Sequence, residues 1–302
     1  MGLGQFDREG ERRHCRTLRP AALLVTRMRP LVRVCSPRSS LATIAAVPRT
    51  PFQTASVSIR IGGVPYGVGA PLLGGLEEDP DIELVLAPPT EMIPDLRAGK
   101  LDAALLSSIE AIRHPGYTVA ADLGIACKQE IRSVRAFRRR GKKIRTVGCD
   151  QSSATTVALL KLLLHHVYRD EVDGEPEFST IKPTLQPDAL PHDLVMLIGD
   201  PGLEADPGER EIWDLGTEWV QWTGLPFVFA LWVMRPDVDH AAVLPALHRG
   251  RTVGRERGAV DGTEGAAHYE LDAEDVRGVR RFWAECRALG LASEPDPAFV
   301  SA

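Results

Sequence analysis

The chain has 302 residues, 44% of them hydrophobic and 25% charged, with a net charge of −5 at pH 7. That length can bury a core large enough for two lobes, and the composition is that of an ordinary soluble protein. The negative balance argues against nucleic acid or an anionic membrane surface as a partner. Five scattered cysteines (Cys15, Cys35, Cys127, Cys149, Cys286) form no CxxC, so neither a disulfide framework nor a zinc knuckle is expected, and a reducing cytoplasm is the natural location.

Residues 1–56 differ from the rest. Ten arginines, no lysine and only three acids (Asp7, Glu9, Glu11) precede Thr50. The short apolar pieces Ala21–Val25 and Leu41–Val47 are no signal-peptide core, being broken by Arg27, Arg29 and Arg33, whereas an Arg-rich, acid-poor leader resembles an organelle transit peptide. An unstructured extension is the expectation, or an upstream start with Met28 or a later site as the true one. Folded sequence is expected from Val57.

From there strands and helices alternate. Val57–Ile61 reads as a strand stopping at Gly62-Gly63, and Leu72–Leu76 as the start of a helix. Ile82–Ala87 is a second strand, followed by a helix from Thr90 that ends at Gly99. Leu101–Ser107 and Ile131–Arg138 are further strands, the latter running into a basic linker, Arg138–Arg145, expected to be a solvated loop. Thr146–Cys149 precedes the apolar helix Val157–Val167. Leu194–Ile198 is a strand, and Ala273–Leu289 an amphipathic helix. Between them, Trp222-Thr-Gly-Leu-Pro-Phe-Val-Phe-Ala-Leu-Trp232 is too short to span a membrane and reads as a buried strand entered through a tight turn. Such alternation predicts an α/β protein with mostly parallel sheets.

Three of these strands end in small polar residues: Leu106-Ser107-Ser108, Gly148-Cys149-Asp150 and Ile198-Gly199-Asp200. In open α/β sheets ligands bind beyond the carboxyl ends of the strands, so these ends are expected to share one crevice. Ser152-Ser153-Ala154-Thr155-Thr156 opens a long helix, where free N–H groups and the helix dipole favour a carboxylate or phosphate. One hydroxyl would suffice as a cap; four within five positions point to anion binding. Phosphate-loop, dinucleotide, HExxH and GxSxG motifs are all missing. His165 and His166 are adjacent on a helix and cannot form an i, i+4 metal pair. Cys149 reads as a buried thiol rather than a nucleophile. Glu110, Asp150 and Asp200 are acid or base candidates, each equally suited to capping or to orienting a hydroxyl. The inventory suits binding and positioning, with no metal and no cofactor.

The ordered set Arg60-Ile61-Gly62, Pro71-Leu72 with Gly75-Leu76, Gly99 to Leu105, Ser107-Ser108-Ile109-Glu110, Arg132-Ser133-Val134, Ser152 to Thr156, Leu197 to Asp200 and Trp222–Trp232 resembles the chorismate dehydratase family of the futalosine route to menaquinone. The resemblance spans about Val57 to Leu291. It implies a two-lobed, type II periplasmic-binding-protein-like fold with a central cleft. Lobe 1 would comprise residues 57–136 and 235–302, lobe 2 residues 137–234, with Ile131–Phe137 and Phe227–Trp232 as crossing strands. It also implies a lyase that removes water from chorismate, a small dicarboxylate, giving 3-enolpyruvoylbenzoate without a cofactor. The family is thought to use a carboxylate of the substrate itself as the base. Ser107, Ser108 and Ser133 would line the first-lobe side; Ser152, Ser153, Thr155 and Thr156 would hold a carboxylate; Tyr66, Gly199, Asp200 and Gly224 would complete the site. One position departs. The family's Tyr-x-Asn-x-x-Pro is here Tyr66-Gly-Val68-Gly-Ala-Pro71, so its catalytic or orienting asparagine is Val68 and the catalytic residue is unassigned. A non-catalytic binding protein for a small carboxylic acid is the alternative. The sister enzyme acting later in the same route fits the Gly-Asp and Trp-Thr-Gly-Leu-Pro-Phe motifs less well.

Overall fold

The computed structural model describes residues 58–150, 153–258 and 266–301. The expectation of an unstructured 1–56 extension lies outside them, as does Ser152.

Strands β1 (Ile59–Gly63), β2 (Ile82–Leu86), β3 (Ala103–Ser107), β4 (Thr118–Cys127), β10 (Phe227–Met234), β11 (Ala267–Glu270) and β12 (Ala298–Val300) make one sheet, ordered β11-β4-β10-β3-β1-β2 with β12 beside β4. A second sheet, β7-β6-β8-β5-β9, is built from β5 (Val134–Arg138), β6 (Ile144–Asp150), β7 (Val172–Ile181), β8 (Leu194–Ile198) and β9 (Glu211–Asp214). Helices α1 (Pro89–Arg97), α2 (Ala154–His166), α3 (Gly199–Glu204), α4 (Leu215–Thr223), α5 (His240–Glu256) and α6 (Ala273–Ala288) complete the described regular elements, with short 3₁₀ turns at Gly67–Leu72, Leu76–Glu78, Ser108–Ile112, Arg169–Glu171 and Pro187–Ala189.

Several expectations are corrected. The sheets are mixed rather than mostly parallel: β1, β2 and β3 run parallel, as do β6, β7 and β8, but β10 is antiparallel to β3 and β4, and β5 to β8 and β9. The Leu72–Leu76 helix start is instead two 3₁₀ turns flanking a left-handed Gly75 at φ 71°. Trp222 and Thr223 close helix α4, with Gly224 as its left-handed cap at φ 69°, and the strand begins only at Phe227. Neither proposed crossing strand crosses. β10 is an interior strand of the first sheet, buried on both faces, and β5 lies within the second. The passages between sheets are the short segments 128–133 and 224–226.

The core follows from apolar runs that cannot be solvated on either side. Helix α2 buries Leu159, Leu160, Leu162, Leu163 and Leu164 because it packs against the Ser108–Ile112 turn, α4 and α6 at once. Trp219 of α4 meets Phe227 and Phe282 edge-on, at centroid distances of 5.2 and 6.1 Å. The basic linker is answered locally: Arg138 pairs with Glu171 and with Glu211, and Arg145 with Asp173.

Helix α6 begins with a reciprocal cap. Asp272 accepts from the N–H groups of Glu274 and Asp275, Asp275 answers the Asp272 N–H at 2.9 Å, and Lys128 reaches Asp272 at 2.5 Å. The Lys128 ammonium and these N–H groups hold the Asp272 carboxyl down to about 2. An Asp272→Ala variant should lose about 1 kcal/mol of stability at pH 7 by chemical denaturation. Since the folded value lies below an unfolded value of about 3.9, the difference between variant and parent should persist above that pH and shrink as pH falls towards 2.

Candidate active site

The carboxyl ends of β3 and β6 bring two polar segments together. Ser107 and Ser108 end β3 and enter a tight turn, while Asp150 ends β6 and Ser153 caps α2. Ser107 Oγ lies 3.4 Å from Ser153 Oγ, and Ser108 Oγ 3.3 Å from Thr155 Oγ1. The hydrogen-bond roles can be assigned. Ile109 N–H donates to Thr155 Oγ1 at 3.1 Å, and Ser108 donates its only hydroxyl hydrogen to the Val228 carbonyl at 2.8 Å. Thr155 must therefore be the donor to Ser108. The result is a closed relay from the Ile109 amide through Thr155 and Ser108 to Val228, fully buried. Ser108 and Thr155 tie α2 to β3 and β10.

Ser153 is arranged differently. Its Oγ accepts from the Thr156 N–H at 3.3 Å and from Thr156 Oγ1 at 3.0 Å, so its own hydrogen points away from the helix, towards Ser107. The N–H groups of Ala154 and Thr155, in the first turn, have no intrahelical acceptor. Ser107, Ser153 and this helix end thus form the part of the cluster whose polar groups are not closed into the buried relay, while Thr156 serves the cap.

Asp150, 2% exposed, sits on the strand end next to them. Tyr66 precedes the Gly67–Leu72 turn and is partly exposed; burial, then the negative charges of Asp150 and Glu91, push its phenol above the ordinary tyrosine value. It therefore remains a hydrogen-bond donor at neutral pH. Val68, one turn on, is half-buried against the core.

Because β8 runs parallel to β6 and Ile198 pairs with Val134, Ser133 and Gly199 stand at the same end of the second sheet as Asp150. Ser133 is buried in the passage from β4 to β5, its N–H bonded to the Ile131 carbonyl at 2.7 Å. Gly199, at φ 65°, and the exposed Asp200 open the six-residue α3. Gly224 caps the C-terminus of α4, two residues after Trp222, which stacks on His166, the last residue of α2, about 20 Å along the helix axis from Ser153. The structure therefore does not bring Gly224 to the hydroxyl cluster. Glu110 is held by Arg113 at 2.7 Å and Arg97 at 3.4 Å, which leaves it an anchor of the turn. Two surface cavities of about 490 and 450 Å³ lie elsewhere, one against α5 and the other beside Arg139 and Arg210; no hydroxyl of the cluster lines either.

Cys149, adjacent to Asp150, is a buried free thiol pushed up to about 12 by desolvation, as is Cys286, and Cys127 is raised further. Iodoacetamide should label these three only under denaturing conditions; mass spectrometry of native and unfolded samples checks this.

Two mixed sheets with polar strand ends facing a helix N-terminus define a two-lobed, periplasmic-binding-protein-like architecture. Solved structures agree on the fold: a protein from Archaeoglobus fulgidus aligns with TM-score 0.62 at 15% identity, covering 78% of this chain and 99% of the other. The periplasmic aliphatic sulphonate binding protein of Escherichia coli aligns with TM-score 0.51 at 14% identity, covering 79% and 95%. The chain belongs to the menaquinone biosynthesis family, whose model matches residues 59–288. Curated relatives include the chorismate dehydratase of Thermus thermophilus, 29% identical over 245 residues, 69% of this chain and 87% of that protein. The chorismate dehydratase of Campylobacter jejuni is 32% identical over 145 residues, 47% and 49% of the two chains.

Proposed function

We propose that the protein is a chorismate dehydratase, a hydro-lyase acting in the cytoplasm on the route to menaquinone. The observation that carries this reading is the pairing of Ser107 with Ser153 at the N-terminus of α2, within a chain of that family. A dicarboxylate needs such a place: N–H groups without partners, a positive helix end and hydroxyls with hydrogens to give.

The chemistry asks little more of the protein. A ring C–H bond breaks and its electron pair forms the new ring double bond. The adjacent C–O bond breaks, hydroxide leaves, and proton and hydroxide make water. Nothing is oxidised or reduced, and aromatisation supplies the driving force. Ser107, Ser153 and the α2 amides hold a carboxylate, fixing the ring for elimination. The protonated phenol of Tyr66 offers a donor to the departing oxygen. The substrate's second carboxylate, held near the ring, takes the proton, which fits a site whose buried Glu110 is committed to two arginines.

Val68 supports a second reading, in which the same cleft binds a small carboxylic acid without turning it over. Purified protein incubated with chorismate decides between them, following 3-enolpyruvoylbenzoate by absorbance and mass. Product forming well above the rate in buffer supports the lyase. Thermal stabilisation by chorismate with no product above buffer rejects it in favour of binding alone.

A further inference from the structure

The chain passes between the sheets twice, and one helix holds both passages. At the start of α4 the Asp214 carboxylate accepts the Arg132 N–H at 2.7 Å, the Ile131 N–H at 3.1 and 3.2 Å to its two oxygens, and the Thr217 N–H and hydroxyl at 3.0 and 3.2 Å. A Cβ on Gly216 would stand 2.6 Å from Cys127 Sγ and 2.8 Å from the Gln129 carbonyl, so the first turn of α4 is pressed against segment 128–133. Further along, Trp219 Nε1 donates to the Pro226 carbonyl at 3.0 Å, and the Leu225 N–H to Thr223 Oγ1 at 3.2 Å, which fastens segment 224–226.

Arg132 is the one non-glycine residue with positive φ among the described residues, at 60°. A long β-carbon-bearing residue adopts that conformation only where its surroundings impose it. Here the imposing group is Asp214, which takes the N–H groups of Arg132 and of its predecessor together. Ser133, next in the chain, is pressed against α3, the helix that follows β8 of the second sheet: a Cβ on Gly202 would lie 2.3 Å from its carbonyl oxygen. The peptide direction at Arg132 therefore sets how the second sheet leaves the first.

We propose that Asp214 is the positioning residue of the cleft: by latching Arg132 in the left-handed conformation while capping α4, it sets the angle at which Ser153 meets Ser107. Its consequence for catalysis rests on the chorismate reading; its consequence for the backbone does not. Without the latch, Arg132 relaxes to an ordinary conformation, and because α4 also holds 224–226, both passages shift together. The arrangement in which Ser153 meets Ser107 then becomes a minority state, and apparent affinity falls by the fraction that remains competent.

The test uses Asp214→Asn, Arg132→Gly and the double variant of the full chain. Asparagine is a good helix cap, so α4 survives, but its single acceptor oxygen cannot serve Thr217 and the two amides of the passage. Hydrogen exchange, read without ligand, should speed up about tenfold or more at the Ile131 and Arg132 amides in Asp214→Asn and stay at the parent rate in β3 and β10. With chorismate, KM should rise about tenfold with kcat nearly unchanged. Adding Arg132→Gly should recover most of that loss, because glycine takes φ near 60° without strain; a residue that merely stabilised the fold would not be rescued by a flexible glycine. Unchanged exchange at Ile131 and Arg132 overturns the latch. Faster exchange with no rescue by glycine overturns the role of Arg132's conformation. A parent protein inert towards chorismate overturns the dehydratase reading and leaves the exchange experiment to decide the latch.

Discussion

Val68→Asn should raise the rate of chorismate dehydration by about 10²–10³-fold, the effect of restoring one preorganised donor at a developing oxyanion, about 2.7–4 kcal/mol. Val68 lies in the 3₁₀ turn that follows Tyr66, half-buried against the first-sheet core. Valine and asparagine are close in size, so the exchange changes chemistry more than volume. The valine gives that position neither donor nor acceptor, and the hydroxyls beyond β3 are largely engaged with one another. An amide at position 68 adds what Ser107 and Ser153 alone do not: a neutral group able to orient the leaving oxygen. The gain should appear in kcat, with KM moving little, because an interaction realised mainly in the transition state changes the chemical step. Steady-state kinetics of the two proteins at equal thermal stability checks this. A variant that folds normally and shows no gain in kcat would mean that the chain has already replaced the family's asparagine by another donor, with Tyr66 as the first residue to test.

Thr155→Val is the second large expectation. Valine fills the same buried volume but removes the acceptor for the Ile109 N–H and the donor to Ser108. An amide left unpaired at a fully buried position costs about 1–3 kcal/mol. The loss is not confined to stability, because this relay joins α2 to the turn that carries Ser107 and to the Val228 carbonyl of β10. Once α2 is free to shift, Ser153 no longer meets Ser107, and KM for a carboxylate ligand should rise about tenfold or more. Denaturant titration and ligand titration on the same preparation measure both. Thr155→Ser should restore most of each, since it returns the hydroxyl without the methyl group. Loss of stability with unchanged ligand affinity would show that the relay supports the fold alone.

The hydroxyl cluster at the ends of β3 and β6 was legible in the sequence as a set of local patterns. Strand ends rich in serine and a hydroxyl run before an apolar helix are local facts, and local facts are what a sequence records well; that an asparagine is missing at Val68 follows only from the family resemblance. Ser107 and Ser153 lie 46 residues apart in the chain yet within reach of each other, as the strand-end rule anticipated. What local patterns could not separate were hydroxyls of equal appearance. Thr155 and Ser153 stand two apart in one run; one is sealed in a relay and the other faces outward, because helix geometry turns successive side chains by about 100°. Gly224 misled for a related reason. A Thr-Gly pair before an apolar run reads as the entrance to a strand, but the same letters end a helix when Trp219 and Trp222 precede them at i, i+3 spacing. Asp214 carries a local capping signal, a carboxylate three residues before Thr217 at a helix start; nothing nearby in the chain announces that it also holds Ile131 and Arg132, 83 and 82 residues away.

The sequence by itself determined the class of chain, the alternation of strands and helices, the apolar core and the hydroxyl run that opens α2. Each depends on periodicity, capping and composition within a few residues. Only the tertiary structure decided which strands pair antiparallel, that β10 is an interior strand of the first sheet, which hydroxyls keep a free hydrogen, and where the chain bends between its sheets. Those outcomes depend largely on hydrogen bonds between groups far apart in the chain, such as Ser107–Ser153, Ser108–Val228 and Arg132–Asp214, whose partners are chosen by packing and desolvation over the whole fold.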